Sequence, residues 1–229
     1  MGERIFEEWR VYEKLLIHDY MDHRGFFNRL QQEVQTRFSQ PISILDLGCG
    51  DLSPIWPLLQ NVDLMRYVGI DESDGGLTLA KGRLSGLSQS SELIKGDILA
   101  VLAGLQEQFD LIVASFSLHH YADTNDKLRV LQAAKQHLNT GGMFALIDVF
   151  SAEDETRDEY LERWIEHADG RYQVLLPEEK QLLFNHVRSR DYPVSEKTWQ
   201  SLGQQSGLQD FQVLLRDYAP LNGLAIFSN

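Results

Sequence analysis

Residues 44–54 read ILDLGCGDLSP: a short strand-forming run, then a loop with glycines at 48 and 50, then Ser53 and Pro54. Serine is a favoured helix N-cap and proline suits the first helical turn, so the stretch predicts a strand, a tight loop and a helix starting at Pro54. Glycine tolerates positive φ and lets backbone approach a ligand closely, while a helix N-terminus offers free N–H groups to an anionic group. The stretch therefore predicts a nucleotide-like cradle. The third glycine of G-x-G-x-x-G is replaced by Ser53 and the acidic Asp51 follows the second, which argues against a dinucleotide pyrophosphate. There is also no G-x-x-x-x-G-K-[ST] loop for a nucleoside triphosphate.

Outward from this loop, residues 41–142 alternate short apolar runs (ISILDL, RYVGID, SELIKGD, FDLIVASFSL) with amphipathic stretches, the pattern of parallel βαβ units. A fifth run, MFALIDVF, follows Asn139-Thr140-Gly141-Gly142, read as a turn closing a helix over residues 125–138. Asp71 ends the second run, 21 residues after Gly50, where a carboxylate can accept both hydroxyls of a ribose. Asp74 is positioned to cap the following helix. Asp97 ends the third run, over the same crevice at the carboxyl edge of the sheet.

The flanks read as helical. Residues 1–40 carry two apolar stripes, Ile5, Trp9, Tyr12, Leu15 and Leu16, then Phe26, Phe27, Leu30 and Val34, and form an N-terminal cap. Residues 41–151 form the core. Residues 152–194 read as an inserted lid of two helices, the second starting near Pro177. In residues 195–229, Ser195 caps a helix through Gln205, and FQVLLRDY with LNGLAIFSN closes the sheet as a hairpin.

Thirty-four acidic against 21 basic residues give a net charge of -13, a field that repels phosphate backbones and argues against a nucleic-acid partner. No run approaches the roughly 20 apolar residues of a membrane span, and the charged N-terminus is unlike a secretory signal, so a cytoplasmic location is expected. Cys49 has no partner for a disulfide, and no Cys/His pair has structural-zinc spacing. No carboxylate and amide set to chelate a catechol-like acceptor with magnesium is evident. Asp148 is read as ending a strand, and no metal is expected.

Taken together, ILDLGCGD, VGIDESDGGLTLAK, GDIL, FDLIVASFSLHHY and TGGMFALIDVF resemble, in order, the motifs of the class I S-adenosylmethionine (SAM)-dependent methyltransferases. The resemblance covers residues 42–150 and the last two strands. It implies an α/β three-layer, Rossmann-like fold with a mostly parallel seven-stranded sheet in the order 3-2-1-4-5-7-6, the last strand antiparallel. It further implies Asp46, Gly48, Cys49 and Gly50 near the methionine part of SAM, and Asp71 with Glu72 on the ribose side. Asp97 and Ile98 fall at the adenine, Ser115 at the methionine end, and S-adenosylhomocysteine is the product. His120, and after it His119, are the candidates for a general base. Ser-Phe-Ser-Leu stands where DNA amino-methylating and protein-glutamine enzymes carry Asn-Pro-Pro-Tyr or Asp-Pro-Pro-Tyr, so a small-molecule acceptor is expected. Tyr12, Tyr20, Arg190 and Tyr192 are candidates to contact it. A homodimer is compatible with the sequence. The lid and final hairpin also resemble the carboxy-SAM synthases, which would require Arg188 or Arg190 to face the sulfonium's substituent. A SAM-binding module without turnover is the remaining alternative.

Overall fold

The computed structural model describes the backbone of residues 2–229 and the side chains from residue 10 onward; Ile5 and Trp9 of the first predicted stripe lie outside the described side chains. Five strands, β1 (Ile42–Leu47), β2 (Leu64–Asp71), β3 (Ser90–Lys95), β4 (Phe109–Ser115) and β5 (Leu138–Ser151), run parallel. A two-residue strand, β6 (Val194–Ser195), pairs with the end of β5. β8 (Asn222–Ser228) lies antiparallel between β5 and β7 (Gln209–Arg216), giving the order β3-β2-β1-β4-β5-β8-β7. This is the expected order, with β6 as an eighth strand that the sequence reading did not contain.

The central strands are mostly apolar because both of their faces are covered. All six residues of β1 are buried, and alternate side chains go to opposite layers. Ile44, Tyr67, Leu111, Val113 and Ile147 pack with α2 (His23–Arg37), α3 (Trp56–Asn61) and α4 (Asp74–Leu84). Leu45, Val68, Ile112, Ala114 and Phe144 pack with α5 (Ile98–Gly104), α6 (Thr124–Gln136) and α9 (Glu196–Ser206). Each such large side chain contributes about 1.5–3 kcal/mol by leaving water.

A third core lies over the carboxyl edge of the sheet. Val11 and Leu15 of α1 (Gly2–Ile17) meet Tyr160, Trp164 and Tyr172 from α7 (Arg157–Arg171) and its end, and Val187 of α8 (Pro177–Arg190). Thr156 and Glu159 form a capping box that starts α7, and Lys14 pairs with Glu179 at 2.6 Å, joining α1 to α8. The predicted cap and lid are thus one packed roof.

Local expectations change at three places. Ser53 does not start a helix: Asp51 accepts from the Ser53 N–H at 2.9 Å, Leu52 takes φ +66°, and α3 begins only at Trp56. The side-chain turn at Asp51 captures the amide that a helix start at Ser53 would leave free, so the start moves to Trp56. Residues 139–142 do not terminate the helix as a separate turn but lie within β5, where Gly141 has φ +79° and the register with β4 shifts between Phe109 and Leu111. Ser73, not Asp74, caps α4, its hydroxyl accepting from the Gly76 N–H at 3.1 Å; Asp74 pairs instead with Lys95.

Candidate active site

The loops after β1, β2, β3 and β4 open into a cavity of about 610 Å³ beneath the roof, within the range usual for small-molecule sites. Gly48 turns at φ +82°, and a Cβ there would meet Ser117 Cβ at 2.5 Å. The backbone of β1 and the chain after β4 therefore approach as only glycine permits. Asp71 accepts from the Gly50 N–H at 2.8 Å and the Ser73 N–H at 2.7 Å, one bond to each carboxylate oxygen. A carboxylate has about four acceptor sites, so these bonds aim the group and leave capacity for ribose hydroxyls. Asp97 caps α5 through the Ala100 N–H, and its other oxygen accepts from the Tyr121 hydroxyl at 3.2 Å. Gly48, Gly50, Asp71, Glu72, Asp97, Ile98 and Ser115 all line the cavity. They form one continuous cradle that fits an adenosine-bearing cofactor.

Two residues assigned to this cradle from the sequence lie behind it. Asp46 is buried, accepts from the Tyr67 hydroxyl at 2.9 Å and is absent from the cavity wall. Burial pushes its carboxyl up to about 7, the tyrosine hydrogen bond opposing and nearby Asp71 adding to the rise. Cys49 is buried too, and desolvation raises its thiol well above the ordinary range. Both side chains brace the loop from the core side, Asp46 through the alternation of β1 and Cys49 from the loop that follows it.

The opposite edge carries the histidines. Phe116, at φ +49°, ends β4, the Ser117 hydroxyl donates to the Leu47 carbonyl at 2.7 Å, and a 3-10 turn holds Leu118–His120. Buried Lys127 fixes that turn, its ammonium donating to the carbonyls of Leu118 and Tyr121 at 2.6 Å each, and desolvation lowers it to about 8. His119 donates Nδ1–H to Asp148 at 2.5 Å, and its backbone N–H meets the same carboxylate at 3.1 Å. Asp148 is wholly buried within β5 rather than at a strand end. Burial lowers His119, but Asp148 and Asp191 more than offset this, so its imidazole stands above the ordinary value. His120 is held below that value, first by desolvation and then by His119; its side chain is 43% exposed, so solvent screens part of the effect.

Of the four candidates for acceptor contact, Tyr12 and Arg190 line the cavity. Tyr20 stacks on Tyr172 at 4.4 Å and Tyr192 packs under the Arg157 guanidinium at 4.4 Å, both off the wall. The Tyr192 backbone still matters, since its N–H donates to the His119 carbonyl at 2.8 Å. Arg188 pairs with Glu162 and lies off the wall as well. The sequence reading missed Asp148 and Asp191 as partners of His119, and Lys127 as its support. A signal for Lys127 existed: Lys127, Val130, Leu131 and Ala134 form the buried stripe of α6, where a lysine needs buried acceptors.

Residues 45–144 match the family described as "Methyltransferase domain". A demethylmenaquinone methyltransferase from Leptospira interrogans is 27% identical over 205 residues, covering 84% of this chain and 78% of that protein. The crystal structure of an S-adenosylmethionine-dependent methyltransferase from Clostridium acetobutylicum shares the fold at TM-score 0.66 and 13% identity, over 98% of both chains. Human N-acetylserotonin methyltransferase in complex with SAM shares it at TM-score 0.57 and 18% identity, over 87% of this chain and 51% of that one. With sheet order, cradle and family match in agreement, the chain is a class I, Rossmann-like SAM-dependent methyltransferase.

Proposed function

We propose that the chain methylates a small, largely apolar acceptor bearing one ionisable group, held between the roof and His119. The observation that carries this reading is the division of the cavity wall. Val11, Leu15, Trp164, Leu182, Leu183 and Val187 line the roof side, and polar groups gather at His119, His120, His186 and Arg190. Such a chamber desolvates a ring or chain while a few polar groups fix its reactive end. The name of the Leptospira relative supports an acceptor of the quinol or phenol class.

When bound, SAM supplies an already electrophilic methyl group, so positioning can account for much of the rate. Asp71, Glu72, Asp97 and Ile98 hold the adenosine side, with Gly48, Gly50 and Ser115 toward the methionine end. His119, rather than His120, accepts the acceptor's proton. Asp148 holds its Nδ1–H, which leaves Nε2 as the basic atom, and the two carboxylates favour the imidazolium that forms. The open space between α1 and His120 favours turnover over a SAM-binding module. Among the described residues one arginine, Arg190, lines the cavity and remains for the carboxy-SAM alternative. The acidic surface and single free cysteine suit a cytoplasmic enzyme.

The test is transfer of labelled methyl from SAM to a panel of quinols, phenols and polar acceptors of similar size. Methylation confined to the apolar phenolic members is expected. A preference for the polar set would sink the acceptor assignment, and labelled adducts of SAM itself would favour the cofactor-modifying reading.

A further inference from the structure

Asp191 is 6% exposed, and its Oδ1 has no hydrogen-bond partner. A buried carboxylate oxygen without a donor is unfavourable unless something cationic reaches it. His119 Nε2 and His120 Nδ1 each stand 3.6 Å from that oxygen, too far for a hydrogen bond. One ligand-capable atom from each of the three residues lies within 4.8 Å of the other two. A tetrahedral cation with bonds of about 2.0–2.1 Å keeps its ligand atoms roughly 3.3 Å apart, so a modest inward movement of these side chains completes three of its four positions.

The surroundings support coordination. Asp148 accepts from His119 Nδ1 at 2.5 Å, which fixes the tautomer and leaves Nε2 bare, the arrangement by which an outer carboxylate orients a metal-ligating histidine. His120 Nδ1 now donates to the Arg190 carbonyl at 3.2 Å; moving that proton to Nε2 frees the nitrogen. Asp148 and Asp191 bring two carboxylates to His119, faced by Lys127 and, on the Asp191 side, by Arg157. All three candidate ligands line the main cavity.

We propose that His119 Nε2, His120 Nδ1 and Asp191 Oδ1 bind a divalent cation of the zinc or ferrous class, whose remaining position faces the acceptor. The nitrogen and oxygen donor set suits those ions better than magnesium, which prefers all-oxygen ligands. The role assigned to the cation rests on the acceptor reading above and takes the place of His119 as base: with Nε2 engaged as ligand, the cation lowers the pKa of an acceptor oxygen at its open position, and the proton passes to solvent. Because Asp191 follows α8 and the histidines follow β4, the cation also ties the roof to the sheet.

The experiment uses full-length protein freed of metal by chelation, titrated with Co2+ by visible absorption and with Zn2+ by calorimetry, without acceptor. Uptake of one equivalent with tetrahedral Co2+ bands is expected. His120→Ala and Asp191→Asn should each weaken uptake more than about 10-fold, and Asp148→Asn about 10–100-fold, as outer partners of metal ligands do. SAM affinity in His120→Ala, whose side chain is half exposed, verifies that the variant is folded. Absence of stoichiometric uptake, or uptake unchanged in both His120→Ala and Asp191→Asn, overturns the site. Full methyl transfer in excess chelator would remove the cation's role and leave the acceptor reading standing. Stoichiometric cation with every acceptor refused would do the reverse.

Discussion

His119 is held twice by one carboxylate: Asp148 accepts its ring Nδ1–H at 2.5 Å and its backbone N–H at 3.1 Å. The two residues are 29 apart in sequence: His119 stands in the turn that follows β4, and Asp148 on the neighbouring parallel strand β5, where Ser115 pairs with Ile147. Asp148 thereby sets both the tautomer of the imidazole and the path of the turn that carries it. Asp148→Asn keeps an acceptor of nearly the same shape but places an amide donor in a site that needs acceptors. Its kcat should fall by at least about 10-fold, as expected when an orienting carboxylate is lost, while the SAM Kd stays within about 2-fold. Steady-state kinetics with parallel calorimetry separates these; equal loss of both would assign Asp148 a structural role only.

Asp71 should govern cofactor affinity. Asp71→Ala removes a charged hydrogen-bond acceptor and releases the Gly50 and Ser73 amides, so SAM binding should weaken by about 1.5–3 kcal/mol or more. Calorimetric titration reads this directly, and an unchanged Kd would remove Asp71 from the ribose.

Lys127 should be a stability residue with a kinetic consequence. Lys127→Met fills the same volume but takes the Lys127 donor from the Tyr121 carbonyl and leaves the Leu118 carbonyl only the Tyr121 N–H, at a cost of about 1–3 kcal/mol. Urea unfolding should show a lowered midpoint, and activity at temperatures where the variant is folded should also fall, because the His119 turn loses its support. A variant as stable and active as the parent would contradict the account of Lys127.

His23 should make the fold acid-sensitive. It is 3% exposed, neither ring nitrogen has a partner, and burial lowers it from 6.5 to about 4. The unfolded chain takes up a proton below pH 6.5 that the folded chain refuses until about pH 4, so stability falls as pH drops through that window. The loss attributable to His23 amounts to about 3 kcal/mol at the acid end. His23→Phe, which preserves a ring beside Phe116, should abolish that part of the decline in unfolding curves measured between pH 7 and pH 4. Parallel declines in both proteins would show that His23 is not the group responsible.

The α/β class and the carboxylates at the crevice were legible in the sequence because they rest on local rules, while the strand order followed from the family resemblance. Apolar runs buried on both faces alternate with helices. Glycine at positive φ marks the loop at 48, and an acid at a strand end reaches the crevice, so Gly48, Asp71 and Asp97 were found without the fold. Where several local rules compete over a few residues, the reading slipped: Asp51 took the amide that Ser53 would have left to a helix start. The histidine edge was not legible. His119 and His120 are neighbours in the chain, but Asp148 comes from the adjoining strand and Asp191 from the end of α8, about 70 residues away. Which histidine turns inward, and which carboxylates it meets, depends on strand register and on how the roof packs over Val149, interactions between segments that carry no trace in any one of them. The sequence determined what the crevice can hold; tertiary packing alone decided which side chains face it, because burial and hydrogen-bond partners belong to the assembled layers.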